Sequence, residues 1–421
     1  MNVIGLYKTH FTILPLCDKY NIVAGSEIIR TKKQKHIVVG NNLFGRILNG
    51  FGEPIDGKSK INGELISIYQ PFLGFFQRKA LDTQLITGIP IIDWMIPIGF
   101  GQKEAIIGDI GRKKTTIVIG IMKNLKHIPK VLSIYVSIGQ STGSVLSIQK
   151  KLQQNETNNF LIIMARPSDP MSMLYLAPLI ASAIGEYYRT KGYHVVIFYD
   201  SLNKHAIANR EISMSQNLSP GRESFPGNMF AIHANLLERA GQMLPENGEG
   251  SLTCIPIVDT VDNDITSFIS TTIISISDGQ IVMDKNSNIN IGLSVSRVGG
   301  DVQHKYIKQY SRGLKLKITR YEECLQLSTL TSELSPEVKK ILKEGSTIKS
   351  ILLQDFDKPM PLYKQILYLK SIYDGLVFEN DNMIQLINNY INNLTPLEFT
   401  SDEILDRTYK SMVYSIKDTK G

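Results

Sequence analysis

The sequence is short of cysteine, of long apolar runs and of basic segments interleaved with aromatics. Each shortage removes a class of protein. The three cysteines, Cys17, Cys254 and Cys324, lie far apart and form no C-x-x-C pair. That spacing points to neither a zinc site nor a disulfide framework and fits a reducing compartment. The most apolar long stretch, residues 171–184, is too short to span a bilayer and runs into Gly185-Glu-Tyr-Tyr-Arg189. It reads as a buried core helix, so any membrane association is expected to come through partners. The start, Met1-Asn-Val-Ile-Gly5, lacks the basic opening and apolar core of a secretory signal, and no Arg- and Ser-rich transit segment is visible. The net charge is +7, spread along the sequence with small clusters such as Arg30-Thr-Lys-Lys-Gln-Lys35. Without aromatic interleaving such a cluster reads as a solvated loop, and no nucleic-acid partner is expected.

What is present is a chain of 421 residues, 43% hydrophobic and 20% charged, too long for one core. Residues 1–70 carry short β-branched or alternating runs (37–40, 45–49, 65–68) separated by turn residues, with Glu53-Pro-Ile-Asp-Gly57 a strong turn. They predict a small β-barrel. Residues 71–305 alternate buried strand-like runs (104–108, 132–138, 160–165, 194–199, 253–258) with helical stretches. That pattern predicts a parallel sheet flanked by helices, with functional groups at the C-terminal ends of the strands. Residues 306–421 show helical spacing around 318–330, 337–342, 363–373 and 383–394 and predict a helical bundle. Ser335 and Pro336 mark one helix start.

The most informative segment is Glu104-Ala-Ile-Ile-Gly-Asp-Ile-Gly-Arg-Lys-Lys-Thr-Thr116. An apolar strand enters a polar loop that opens an apolar helix, the setting of a phosphate-binding loop. The spacing Gly, four residues, Gly, Lys, Ser or Thr is met by Gly108, Lys114 and Thr115, but Lys113 stands where the second glycine belongs. A Cβ there hinders the close approach of backbone to phosphate. The run His194-Val-Val-Ile-Phe-Tyr-Asp200 is a second element, an apolar strand ending in an acid suited to Mg2+, with helix capping as the alternative role for Asp200.

These residues belong to a longer pattern. Gly45-Arg-Ile-Leu-Asn-Gly-Phe-Gly-Glu-Pro-Ile-Asp-Gly-Lys58, Thr87-Gly-Ile-Pro-Ile-Ile-Asp93 and Ile96-Pro-Ile-Gly-Phe-Gly-Gln102 come first. Tyr135-Val-Ser-Ile-Gly-Gln140, Tyr175-Leu-Ala-Pro178, Pro220-Gly-Arg-Glu-Ser-Phe-Pro-Gly227 and Leu236-Leu-Glu-Arg-Ala240 follow. Ile276-Ser-Asp-Gly-Gln-Ile281 and Gly292-Leu-Ser-Val-Ser-Arg-Val-Gly299 complete the series. In this order they resemble the alpha and beta subunits of F-type rotary ATP synthases, over nearly the whole sequence. The catalytic subunit carries a Glu in the place of Gln140, and a neutral amide cannot act as general base. Gln140 and Ser294-Val-Ser-Arg297 match the alpha pattern.

The resemblance implies a central RecA-like domain and a subunit that is not itself catalytic. It implies that Gly108, Asp109, Ile110, Gly111, Arg112, Lys113, Lys114, Thr115 and Thr116, with Gln140 and Asp200, line a regulatory site for ATP and Mg2+. Thr115 is then a direct Mg2+ ligand and Asp200 acts on the metal through water. Arg297 is expected to reach into a neighbouring catalytic site and stabilise the transferred phosphoryl group. Implied partners are beta subunits in an alternating hetero-hexameric ring, a central gamma rotor faced by residues 259–272, stator stalk subunits and, indirectly, a membrane proton channel.

Several positions depart from the family pattern. Its loop reads Gly-Asp-Arg-Gln-Thr-Gly-Lys-Thr; Ser201 replaces a second Asp, Ser270 a Pro, and Thr329 a Gln near the adenine. The sequence starts inside the expected barrel, so the segment that usually holds the stalk is expected to be missing. Two other readings follow: a nucleotide-free scaffold in the same ring, or a self-sufficient P-loop hexameric ATPase, which Gln140 disfavours. For location, Ala165-Arg-Pro-Ser-Asp-Pro170 leans mitochondrial, with plastid thylakoid or bacterial plasma membrane as alternatives.

Overall fold

The computed structural model describes residues 2–418 except 7, 9, 17–22, 24, 30–33, 329–334, 354, 380–381 and 395–400. Cys17, residues 30–33 of the basic cluster and Thr329 therefore lie outside the described residues. The protein divides into two compact units. One joins Met1–Asp82 to Gly99–Val298, the other Thr83–Ile98 to Gly299–Gly421.

In the first unit, β1 (Asn2–Leu6) pairs antiparallel with β2 (Phe11–Leu14), and β3 (His36–Val39) pairs antiparallel with β5 (Glu64–Ser67). The strand between them, β4 (Arg46–Asn49), joins neither pair. It adds in parallel to the edge of the main sheet. Among the described residues this strand-rich region forms no closed sheet, so the barrel expected from the sequence is not seen. The physical reason lies in β4 itself. All four of its residues are buried, as a strand covered on both faces requires. Arg46 tolerates burial because Asp56, from the turn expected at 53–57, pairs with its Nε at 2.6 Å.

The main sheet continues with β6 (Glu104–Asp109), β7 (Val131–Ile138), β8 (Phe160–Ala165), β9 (His194–Asp200), β10 (Ser251–Thr260), β11 (Gly279–Val282) and β12 (Val295–Ser296). Their spatial order is β12-β11-β6-β10-β9-β7-β8-β4. All neighbours are parallel except the edge pair β11–β12. Strands β7 and β8 are buried at every position. Their Val- and Ile-rich runs have no polar face because helices and neighbouring strands leave none to water. Helix α1 (Lys114–Leu125) follows β6, and α2 (Thr142–Gln154) follows β7, with Ser141 capping it. The expected core helix is α3 (Met171–Thr190), buried over most of its circumference and packed on β7, β8 and β9. Among the described residues no helix is long and apolar enough to cross a membrane. Two further helices, α4 (Leu202–Ser215) and α5 (Phe268–Ile276), pack on β10.

The second unit is helical: α6 (Leu314–Ser328), α7 (Pro336–Leu352), α8 (Leu362–Tyr373), α9 (Met383–Asn392) and α10 (Asp402–Asp418). Ser335 caps α7 by accepting from the Val338 N–H at 3.3 Å, and Pro336 takes the first helical position. The sequence motif at 87–93 is part of this unit. Asp93 is fully buried and accepts from the Thr87 and Gly88 N–H groups, the Thr87 hydroxyl and Gln365 Nε2, at 2.7–2.9 Å. Gln365 in turn accepts from Trp94 Nε1 at 3.0 Å. Burial pushes the Asp93 carboxyl up to about 6 despite these donors.

Candidate functional site: a basic loop at the C-terminal ends of the strands

The site forms where β6, β7, β9 and β10 end. At the close of β6, Gly108 is glycine for packing: a Cβ there would lie 2.7 Å from the Cβ of Met283. The backbone then turns through Gly111, at φ +84° with open space around its Cα, and enters α1. Lys113 is the residue just before the helix and adopts φ +23°. A side group in that region costs about 1–2 kcal/mol, which glycine would not incur.

Lys114 begins α1 and is buried. Its Nζ donates to the Gly108 and Asp109 carbonyls at 2.5 and 2.6 Å and lies 3.1 Å from Asp259 Oδ1. The ammonium is thus held inside the arc of the loop, beside the unsatisfied N–H groups of the helix start, where an anion is favoured. Asp109 turns away from the opening. It accepts from the Thr260 hydroxyl at 2.6 Å and the Asn263 N–H at 2.8 Å. Burial raises its carboxyl, but those bonds with Arg112 and Lys114 outweigh it and hold the group below its ordinary value. Arg112 anchors the loop to the Lys285 carbonyl.

Asp200 ends β9 and is buried, accepting from the Tyr135 hydroxyl at 2.6 Å. The Thr115 hydroxyl approaches at 3.4 Å, a weak bond at that length. Burial pushes Asp200 up, opposed by hydrogen bonds from Tyr135 and Gln140. Gln140 follows β7, and its Oε1 accepts from the Ser144 hydroxyl at 3.3 Å.

A cavity of about 520 Å³ opens among these groups. Of the residues expected from sequence it is lined by Ile110, Gly111, Arg112, Lys113, Lys114, Thr115, Thr116, Gln140 and Asp200. Gly108 and Asp109 stand behind it. Ser201, Lys204 and Asp259 also line it; sequence reasoning noted Ser201 only as a departure from the pattern, placed Asp259 only in the rotor-facing segment 259–272, and missed Lys204. Asp259 carried the same signal as Asp200, an acid closing an apolar strand. Arg112, Lys113, Lys114 and Lys204 face Asp200 and Asp259, so cations outnumber acids around the opening and favour a polyanion. Among the described residues no three His, Cys, Asp or Glu side chains gather as a metal site. Mg2+ bound with phosphates needs fewer: it keeps several waters and takes one or two protein oxygens. The Thr115 hydroxyl as a direct ligand, with the Asp200 carboxylate acting through water, fits that requirement.

Arg297 is elsewhere. It follows β12, which runs antiparallel to β11, and its N–H donates to the Asp278 carbonyl at 3.0 Å. Asp278 precedes β11, whose first residue pairs with Glu104 at the start of β6. Arg297 therefore sits at the opposite end of β6 from the loop, about 15–20 Å away at the usual rise per residue. It is exposed, with Nη1 on the Ser277 carbonyl at 3.1 Å.

Comparison with known proteins gives two family matches. Residues 88–291 match the nucleotide-binding domain of the ATP synthase alpha/beta family, and residues 303–419 match the C-terminal domain of the same alpha/beta family. The protein is similar to ATP synthase subunit alpha of Helicobacter pylori (strain Shi470), 42% identical over 366 residues, covering 85% of this sequence and 73% of that one. It is similar also to ATP synthase subunit alpha of Petrotoga mobilis, 37% identical over 427 residues, covering 97% and 84%. These relatives are bacterial. They agree with the bacterial alternative for location and give the mitochondrial one no support.

Proposed function

Because the protein belongs to the ATP synthase alpha/beta family, as an alpha subunit of the F type, we propose that it serves the rotary head without being catalytic itself. Its own site holds a nucleotide for regulation, and it lends Arg297 to a neighbour. The observation that carries this reading is the place of Arg297. At the far end of β6 it cannot touch a phosphate held by its own loop, and it is exposed for another subunit.

In the subunit's own site, the helix start and Lys114 bind the phosphates, and Thr115 directly and Asp200 through water would hold Mg2+, which would screen phosphate charge when bound. Gln140 occupies the position from which a carboxylate would activate water. An amide accepts and donates hydrogen bonds there but takes no proton. The site therefore grips without turning over. In the neighbour's site Arg297 supplies charge to the equatorial oxygens of the transferred phosphoryl group. The partners that go with this role are beta subunits alternating in a hexameric ring, a gamma rotor facing residues 259–272, stator stalk subunits and, through them, a membrane proton channel. The head then lies on the bacterial plasma membrane through its partners.

Replacing Arg297 with Ala in the assembled complex is expected to lower ATP turnover by about 10³-fold or more while assembly is retained. Normal turnover in that complex would refute the role. A second reading, a scaffold that holds no nucleotide, is favoured by the strained Lys113. Mg-ATP bound beside Lys114 at millimolar concentration excludes it.

A further inference from the structure

Behind Arg297 three strands carry three residues side by side. Glu104 on β6 pairs with Gly279 on β11, and Gly279 pairs with Ser296 on β12. A Cβ at Gly279 would fall 2.3 Å from Glu104 Oε2. The carboxyl group thus lies across the glycine, in the space its side group would fill. Gln102, fully buried, closes the row. Its Nε2 donates to Glu104 Oε2 at 2.8 Å and to the Ser296 hydroxyl at 3.0 Å, and its Oε1 accepts from the Gly99 N–H at 2.8 Å.

This row matters because β12 is only two residues long. A ladder that short cannot fix its own register. Gln102 and Glu104 are fully buried, where a polar contact such as theirs is stronger than at the surface, and Ser296 is half-buried beside them. The residue immediately after β12 is Arg297, and its backbone is tied to the Asp278 carbonyl. Whatever fixes Ser296 fixes the base of the Arg297 side chain.

We propose that Glu104 is a positioning residue for Arg297: through Gln102 and Ser296, and by filling the place of a side group at Gly279, it sets the register of the edge strand that presents the guanidinium. The proposal rests on the reading of Arg297 as donated to a neighbour. Glu104 acts by shape and as a hydrogen-bond acceptor, so an amide replaces it and a hydrocarbon does not.

The test is steady-state ATP hydrolysis by the assembled complex carrying Glu104→Leu, Glu104→Gln, Ser296→Ala or Arg297→Ala. Glu104→Leu is expected to lower kcat on the order of 10- to 100-fold, the cost of a misplaced catalytic group, with KM for ATP unchanged. Glu104→Gln restores turnover, and Ser296→Ala falls between. If Arg297→Ala is inactive while Glu104→Leu and Ser296→Ala keep full kcat, positioning is overturned and the Arg297 role survives. If Glu104→Gln loses as much as Glu104→Leu, the hydrogen-bond account is overturned. If Arg297→Ala is itself active, the underlying role fails instead. Should Glu104→Leu not assemble, Ser296→Ala decides alone: full kcat overturns the proposal, reduced kcat at unchanged KM supports it.

Discussion

At Lys113 two effects oppose each other. The ammonium adds positive charge at the mouth of an anion site, and the backbone sits at φ +23°, where a glycine would be unstrained. Lys113→Ala removes the charge and keeps the strain; Lys113→Gly removes both. The strain is already present in the unliganded loop, so its relief belongs to stability: the urea midpoint of Lys113→Gly is expected to lie above that of Lys113→Ala, corresponding to up to about 1–2 kcal/mol. The lost charge belongs to binding: Mg-ATP affinity measured by calorimetry is expected to fall in Lys113→Ala. Equal midpoints for the Gly and Ala variants would show that the backbone carries no strain there. A second residue-scale test concerns the buried pair His205 and His233, with His205 Nδ1 3.2 Å from His233 Nε2 and His205 Nε2 3.2 Å from the Tyr175 carbonyl. The carbonyl accepts, so His205 Nε2 carries its proton and Nδ1 receives one from His233. His233 Nδ1 is left as a buried acceptor without a partner. Burial lowers His205 to about 4. Because its folded value lies below the unfolded one, the unfolded state binds more protons between pH 6.5 and 4, and stability falls as pH drops through that window. The loss from this group approaches about 3 kcal/mol at the acid end. Urea midpoints of the wild type and of His205→Gln, measured from pH 7 to 4, should show a shallower acid decline in the variant.

Among elements, the strand–loop–helix from Glu104 to Leu125 was the most legible, because one short motif demands all three parts in order. Helix starts were legible for the same local reason. Ser335→Ala should cost about 1 kcal/mol by removing the cap on α7, read as a fall in thermal midpoint, and an unchanged midpoint would mean that α7 starts elsewhere. Gly108 has a different requirement: Gly108→Ala forces a methyl against Met283 and is expected to destabilise by about 1–3 kcal/mol. Strand partnership was not legible. The segment at 46–49 looked like its neighbours, and nothing local distinguishes a barrel strand from one that docks on β8 more than a hundred residues later. Its buried Arg46 needed Asp56 from the following turn before burial made sense. Strand direction was hidden too. The motif at 294–297 gives no sign that β12 runs antiparallel, and that reversal is what carries Arg297 away from its own loop.

On the scale of the whole molecule, a nucleotide cleft without a carboxylate at Gln140 predicts a purified protein with no steady ATP hydrolysis. Sustained turnover by the protein alone would revive the self-sufficient ATPase reading. Lys204 and Asp259 escaped sequence reasoning as cleft residues because they reach the cleft from separate elements, helix α4 and strand β10, and join it only when β9 and β10 lie side by side. The second unit was similarly hidden, since residues 83–98 lie amid the sequence of the first unit yet pack with the C-terminal helices. That placement has a consequence in time. Asp93 is matched by Gln365, 272 residues further on. At a synthesis rate of ~5–20 residues per second, the carboxyl group waits roughly 15–55 s on the ribosome for its last donor. During that interval the 83–98 segment is a finished motif with no core to enter, a natural client for whatever shields nascent polypeptides, while the main-sheet strands β6 to β12 are still being made.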